Sequence, residues 1–258
     1  MVVMGLLSPV LAQQRAERFE PVTKELLHSQ VLNEDRNVYI SLPEGYSQNT
    51  GKYPVLYMLY SEASHFHFNA GVVTELSRMQ LIPNMAVVAV DLGDGKRDLT
   101  PTPSPDYGPT SGGAANFLKF LKDELIPFVD ENYRTNSERL YWSHSIGGLF
   151  GLYALLKEPG VFQSVLISSP FFVYDRDKRY IIKNTKAFLQ DRKGRESFLY
   201  ICVGDEPRLI SEIEAFLNIL NEVRPIGLTW KIEKMPQENH MSIMALSLKA
   251  GLRAYGSK

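Results

Sequence analysis

The sequence predicts an α/β protein with a mainly parallel central sheet and helices on both faces. Residues 53–60 and 85–92 are continuous apolar runs, the pattern of a strand that is buried on both sides. Further along the chain, short apolar runs alternate with helical patterns. Strands that alternate regularly with helices imply βαβ units, and therefore parallel pairing.

The first half of the chain supplies one edge of the sheet and the first buried strands. Alternating residues between 22 and 43, bounded by turn residues, predict two antiparallel strands at the sheet edge. A helix is expected at 72–81, between the two apolar runs. After a Pro-rich loop at 100–109, residues 112–133 have a helical period, and Pro127 is expected to kink that helix.

The second half continues the alternation of strand and helix. Strands are predicted at 140–142, 162–168, 198–203 and 229–235, and helices at 145–156, 209–223 and 242–255. No internal repeat occurs, and no linker rich in Gly, Ser or Pro divides the chain. Residues 22–258 are therefore expected to form a single domain.

The composition excludes several classes of partner. With 28 Lys and Arg against 29 Asp and Glu, the chain has no global basic field to attract nucleic acid. No metal-ligand spacing and no Gly-rich phosphate loop occur, so neither a metal nor another cofactor is expected. The single cysteine, Cys202, lies in an apolar run and is interpreted as a buried core thiol. A small molecule is the expected partner, and the oligomeric state is left open.

The N-terminal residues resemble part of a targeting segment. Residues 1–12 are apolar and end in a small residue, Ala12, before two glutamines, although no basic region precedes them. We interpret residues 1–14 as the remnant of a signal peptide. A periplasmic or secreted protein is therefore predicted, with a cytoplasmic one as the alternative. No other stretch is apolar for long enough to span a bilayer, so stable membrane insertion is not expected.

The most informative segment is 141–148, which reads YWSHSIGG. An apolar strand leads into Ser145, flanked by small residues, and a helix follows at once. This is the pattern of a nucleophile elbow, which lifts a serine hydroxyl above a sheet edge and places a helix N-terminus behind it. Ser143 departs from the usual G-x-S-x-G pattern, because the first position is commonly glycine. The alternative is a serine that only caps the helix.

Four stretches together resemble the esterases that include esterase D, the enterochelin and salmochelin esterases, the feruloyl esterases and the mycolyltransferases. They are 34–46 (EDRNVYISLPEGY), 97–101 (RDLTP), 113–127 (GAANFLKFLKDELIP) and 144–170, which begins HSIGGLF and ends SSP. The second and third stretches look most like the branch that hydrolyses trilactone siderophores. The resemblance implies the α/β-hydrolase fold and a serine carboxylic-ester hydrolase.

The general base is expected late in the chain, because α/β-hydrolases follow the order Ser, acid, His. His240 meets this condition, since it lies in a polar loop between the last predicted strand and the last helix. His28 falls in an early strand, and in the family pattern His144 points away from the site. His65 and His67 are candidates to line the pocket.

The acid should follow the strand that ends at Val203. Glu206 is the first choice and Asp205 the second, because related esterases carry an acidic residue shortly after a glycine like Gly204. A Ser–His dyad without a third member is also open, as is a structural role in which the two carboxylates only cap the next helix.

The oxyanion hole is expected to use two backbone N–H groups, those of Ile146 and Ser61. Relatives usually have Asp-Gly where this chain has Tyr60-Ser61, which is a second departure from the family. Arg97 is either a contact for an anionic substrate or a member of a loop salt bridge.

The sequence therefore predicts hydrolysis of a carboxylic ester through an acyl-enzyme, on a siderophore-type lactone or a similar ester. Alternatives of the same chemistry are a feruloyl or acetyl esterase and an acyltransferase. A non-catalytic binding domain that kept the fold is the alternative from another class, because fold alone does not establish activity.

Overall fold

The computed structural model describes residues 22–60, 63–175, 179–192 and 194–258. The segment interpreted as a signal-peptide remnant, 1–14, lies outside these ranges, and so does Ser61. In the described ranges the strands are β1 Thr23–Ser29, β2 Glu34–Ser41, β3 Tyr53–Tyr60, β4 Ala86–Asp91, β5 Thr135–His144, β6 Ser164–Ser168, β7 Ser197–Val203 and β8 Leu228–Lys234.

These strands form one sheet in the order β1-β2-β4-β3-β5-β6-β7-β8. The strands from β4 to β8 in this order pair in parallel, whereas β1 and β2 run antiparallel at one edge. The predicted fold class is confirmed, including the antiparallel pair at the edge. Parallel pairing aligns the carboxyl ends of β3, β5, β6 and β7, where ligands bind in open α/β sheets.

Helices cover both faces of the sheet. They are α1 Ala63–Arg78, α2 Gly95–Asp98, α3 Ala114–Phe120, α4 Ile126–Asn132, α5 Ile146–Lys157, α6 Tyr180–Gln190, α7 Pro207–Val223 and α8 Met244–Gly256. Successive β3 residues alternate between two apolar cores, with Tyr57 on one face and Met58 on the other. Helices α1 and α8 pack on the Met58 face, and α3, α5, α6 and α7 contribute to the opposite core. In the described part of the chain, no helix is long and apolar enough to span a membrane.

Pro127 is accommodated by a wide helical turn. Residues Leu121–Leu125 form a π-helical turn between α3 and α4, and the Ile126 N–H donates to the Leu121 carbonyl. Because proline has no N–H and its ring crowds the preceding turn, the wide turn allows the chain to remain helical through it.

Several predicted boundaries were wrong. Helix α1 starts at Ala63 rather than residue 72, and β5 starts at Thr135 rather than residue 140. Helix α6 was missed altogether. The polar residues within it, such as Lys183 and Lys186, obscure the apolar face that Ile181 and Leu189 bury. Cys202 is fully buried, as predicted, and burial raises the pKa of its thiol to about 12.

Candidate active site

Ser145 occupies the sharp turn between β5 and α5. Its backbone has φ 55° and ψ −119°, a conformation that L-residues rarely adopt and that costs about 1–3 kcal/mol. Two backbone hydrogen bonds hold the turn. The Ser145 N–H donates to the Ser168 carbonyl at 3.0 Å, and the Ser145 carbonyl accepts from the Phe171 N–H at 3.0 Å. The serine lies at the carboxyl edge of the sheet, at the N-terminus of α5.

Gly147 explains why Ser143 fits this turn. A Cβ added at Gly147 would overlap the Ser143 hydroxyl, so the space used by the larger residue is left free by the glycine. Ser143 is itself buried. The departure from the usual motif is thus accommodated locally by the glycine four residues later.

His240 is held by a tight polar loop after β8. The Asn239 side-chain oxygen accepts the N–H groups of Met241 and Ser242, and the Asn239 N–H donates to the Ser242 hydroxyl. This turn directs His240 toward β5, and its Nε2 lies 2.9 Å from Ser145 Oγ. The nucleophile and base predicted from the sequence therefore lie within hydrogen-bond distance.

Glu206 completes a hydrogen-bonded chain of three side chains. Its Oε1 lies 2.5 Å from His240 Nδ1, and its Oε2 accepts from the Ser169 hydroxyl. Glu206 stands at the N-cap position of α7, but its side chain does not cap the helix. Asp205, the second choice from the sequence, is exposed. The structure brings Glu206, and not Asp205, to the histidine.

Close backbone packing brings the loops of Glu206 and His240 together. A Cβ at Gly204 would overlap the Glu238 carbonyl oxygen, and the neighbouring Asp205 N–H donates to that same oxygen at 2.7 Å. Only glycine permits this approach between the end of β7 and the loop after β8.

The expectation for His144 was wrong. Instead of pointing away, its ring lies 4.6 Å from the His240 ring, measured between centroids, and its Nδ1 lies 2.9 Å from Ser168 Oγ. Burial, together with the neighbouring His240, lowers the pKa of His144 to about 4. The ring is therefore neutral near pH 7. Of the other histidines, His28 lies in β1 and His67 is exposed on α1.

Arg97 belongs to a salt-bridge network. Its guanidinium donates to Glu34 and Asp98, and these interactions, the hydrogen bond to Asp98 first, raise its pKa. Arg36, which is 1% exposed, also binds these two carboxylates. Of the two roles considered for Arg97, the structure shows the loop salt bridge.

The backbone at Ile146 is the first helical position of α5. An N–H group in the first turn of a helix has no acceptor within that helix, so this N–H is available to a developing oxyanion. The second expected donor, Ser61, lies outside the described residues. Within the described ranges, no group of three or more His, Cys, Asp or Glu side chains is placed to hold a metal ion.

A cavity of about 490 Å³ adjoins the serine, and we call it the site cavity. Its walls come from the ends of β3 and β5, the loop after β4, the start of α5, helix α1 and the first residues of the α8 region. The lining residues are Leu59, His65, Phe68, Asn69, Leu92, Leu99, Trp142, Ser143, His144, Ile146, Gly147, Met241, Ser242, Met244 and Ala245. His65, one of the two candidates, lines this cavity.

The sheet order and the placement of Ser145 after β5, Glu206 after β7 and His240 after β8 define an α/β-hydrolase. The sequence model of the Esterase family, described as "Putative esterase", matches residues 29–241. The chain therefore belongs to this family and is a carboxylic ester hydrolase.

Individual relatives agree with this assignment. The chain is 26% identical to ferri-bacillibactin esterase BesA of Bacillus subtilis over 254 residues, covering 86% of this chain and 85% of the relative. An IroE-like serine hydrolase from Shewanella oneidensis superposes with a TM-score of 0.81 and 28% identity, covering 92% and 80% of the two chains. The siderophore hydrolase EstB of Aspergillus nidulans has the same fold, with a TM-score of 0.72 and 22% identity over 91% and 94%.

Proposed function

We propose that this hydrolase acts through an acyl-enzyme, with Ser145 as nucleophile, His240 as general base and Glu206 as the orienting acid. The observation that carries the proposal is the continuous chain of hydrogen bonds from Ser145 Oγ through both nitrogens of His240 to Glu206. In this arrangement Nδ1–H donates to the carboxylate, which leaves the Nε2 lone pair to accept the serine proton.

The reaction then has two halves. As Ser145 Oγ attacks the ester carbonyl, its proton passes to His240 Nε2, and the tetrahedral intermediate expels the alcohol with that proton. Water attacks the resulting acyl-serine in the same way, with His240 again taking the proton. The acid is released and the serine hydroxyl is restored. Glu206 fixes the imidazole tautomer and stabilises the imidazolium of each half.

The oxyanion of each intermediate is assigned to the Ile146 N–H and, as predicted from the sequence, to that of Ser61. The geometry of the Ile146 site supports the first donor, since the N-terminus of α5 carries a partial positive charge. Removal of one such donor typically costs roughly a hundredfold to a thousandfold in kcat.

The proposed substrate is a siderophore-type lactone or a similar carboxylic ester. Support comes from the names of the relatives, a ferri-bacillibactin esterase and a siderophore hydrolase, and from the RDLTP stretch at 97–101. A feruloyl or acetyl esterase and an acyltransferase share the same first half-reaction, and substrate profiling separates them.

The test is hydrolysis of p-nitrophenyl butyrate by the wild type and by Ser145→Ala, with Ser211→Ala on the exposed side of α7 as the matched control. We expect Ser145→Ala to lower kcat by more than about a thousandfold, since a triad serine contributes on that scale. Ser211→Ala should match the wild type. An equal rate in the wild type and Ser145→Ala would overturn the proposal, and no hydrolysis of any ester by the wild type would favour the binding-domain alternative.

A further inference from the structure

Among the described residues, the lining of the site cavity contains two histidines and is otherwise uncharged. None of its lining residues is Asp, Glu, Lys or Arg, and most of the surface comes from apolar side chains. The nearby cations do not compensate, because Arg97 and Arg36 are engaged with Glu34 and Asp98. Among the described residues, therefore, no Lys or Arg side chain is placed in the cavity to pair with an anionic group of a substrate.

Three lining residues carry buried polar atoms that lack a hydrogen-bond partner among the described residues. These atoms are Asn69 Oδ1, Trp142 Nε1 and His144 Nε2. Asn69 and Trp142 are only 3% and 4% exposed. Buried polar atoms are nearly always paired, so unpaired atoms on three residues that line one cavity point to a ligand or ordered water there.

The unpaired atoms are of complementary kinds. The indole N–H of Trp142 can only donate, and the unpaired Asn69 Oδ1 can only accept. A hydroxyl or amide group, which both donates and accepts, matches such a pair. At this pair of residues a carboxylate could accept a hydrogen bond only from the Trp142 N–H, and the Asn69 oxygen would repel it. It would also lose its hydration without gaining a Lys or Arg countercharge.

We propose that the site cavity binds an uncharged, mainly apolar group of the ester that carries a neutral hydroxyl or amide, and that Asn69 and Trp142 recognise this polar function. The proposal rests on the proposed function, because it places one side of the scissile ester in this cavity. It assigns a specificity role to two residues that the hydrolysis itself does not use.

The first experiment compares matched esters that differ by one charge. One pair varies the acyl side, p-nitrophenyl butyrate against mono-p-nitrophenyl succinate, and the other varies the alcohol side, phenyl acetate against 4-carboxyphenyl acetate. On the side that occupies the cavity, we expect kcat/KM for the charged ester to be lower by about a hundredfold. Equal values in both pairs would overturn this inference while leaving the proposed function intact. If no ester is hydrolysed at all, the proposed function itself fails.

A charge placed at the cavity mouth sharpens this test. Met241 lines the cavity and is 67% exposed, so Met241→Lys should fold, and Leu246→Lys is its control on the exposed part of α8 outside the cavity. We expect Met241→Lys to raise the charged-to-neutral ratio of kcat/KM by roughly fivefold to tenfold, and Leu246→Lys to leave it unchanged. The same shift in both variants would show a general surface effect and contradict the proposal.

The second experiment removes the polar atoms. Asn69→Leu and Trp142→Phe are measured with p-nitrophenyl butyrate and p-nitrophenyl 3-hydroxybutyrate, and with phenyl acetate and 4-hydroxyphenyl acetate. In the pair whose variable side enters the cavity, loss of one neutral hydrogen bond should raise KM about fivefold more for the hydroxylated ester than for the unsubstituted ester. If both variants affected hydroxylated and unsubstituted esters equally in both pairs, the unpaired atoms would bind only water. That result would overturn the recognition role proposed for Asn69 and Trp142.

Discussion

Two clusters of polar side chains lie at the carboxyl edge of the sheet, and they differ in one decisive respect. The first joins Arg36, Arg97, Glu34 and Asp98, where each charge is met by an opposite one. The second, which we call the serine chain, runs from Ser169 and Glu206 through His240 to Ser145. The first cluster is closed on itself, whereas the second ends at a hydroxyl beside a cavity.

This difference separates a structural use of charge from a chemical one. In the arginine cluster, the charges neutralise one another and tie β2 to the segment after β4. In the serine chain, the proposed role of the one carboxylate is to orient one imidazole and leave its lone pair free to receive a proton. The sequence alone placed Arg97 among the candidates for substrate contact, and the ion pairs at Glu34 and Asp98 show why it is occupied.

The largest expected effect concerns the acid of the serine chain. Glu206→Gln should lower kcat by roughly a thousandfold, because the amide no longer fixes the tautomer or stabilises the imidazolium. Asp205→Asn, one residue earlier and exposed, is the control and should lose less than about twofold. Steady-state hydrolysis of p-nitrophenyl butyrate measures both. A loss below about tenfold in both variants would instead support a Ser–His dyad.

Breaking the arginine cluster should reduce stability and leave the chemistry intact. Arg36→Met leaves Asp98, 1% exposed, without one of its two cations, and we expect the free energy of unfolding to fall by about 3 kcal/mol. Arg78→Met removes an exposed pair with Glu44 and should cost no more than about 1 kcal/mol. Urea denaturation measures the stabilities. Similar losses in both variants, or a fall in kcat of the folded Arg36→Met enzyme, would contradict the distinction.

His144 adds a pH dependence to the region of the serine chain. The unfolded chain binds a proton at this residue near pH 6.5, whereas burial lowers the folded pKa to about 4. Between these values the unfolded state binds more protons, so the free energy of unfolding falls as pH falls, by at most about 3 kcal/mol. His144→Gln should flatten this slope, and His28→Gln, exposed in β1, should not. Urea denaturation midpoints at pH 4.5 and pH 7 measure this dependence for each protein. If stability depended on pH as steeply in His144→Gln as in the wild type, His144 would not be its source.

The smallest effect is expected at Ser169, where the hydroxyl and the backbone can be separated. Its φ of 43° is left-handed, so Ser169→Gly removes the bond to Glu206 while relieving the backbone, and Ser169→Ala removes the bond alone. Both variants should lose about tenfold in kcat with little change in KM, and Ser169→Gly should be about 1 kcal/mol more stable than Ser169→Ala. Full activity in Ser169→Gly would show that the hydroxyl does not position Glu206.

The sequence predicted the sheet and the site unequally. Buried parallel strands and the strand-Ser-helix pattern are local signals, so the fold class, Ser145 and its place at the elbow were within reach. The approach of His240 and Glu206 depends on the close packing at Gly204, which no local pattern encodes. No sequence signal indicated the roles of Asn69, Trp142 and Ser169. In the sequence each looks like an ordinary helix, strand or loop residue, and only the structure shows the cavity and the Glu206 carboxylate beside them.

Beyond the proposed function, two expectations about the whole chain remain predictions. The single domain over 22–258 and the export of the protein to the periplasm or cell surface rest on composition and on residues 1–14, which lie outside the described ranges. N-terminal sequencing of the protein from its native cell would test export, which predicts cleavage shortly after Ala12 and is contradicted by an intact Met1 in the cytoplasm.

The most direct test of the account is whether Ser145 is activated, and a fluorophosphonate probe measures this without knowledge of the substrate. Wild-type protein is labelled and the adduct is mapped by mass spectrometry, beside His240→Ala and Asp205→Asn. We predict one adduct, on Ser145, that is lost in His240→Ala and retained in Asp205→Asn. No adduct in the wild type, or an adduct on Ser145 that forms equally fast without His240, would contradict the proposed serine chain.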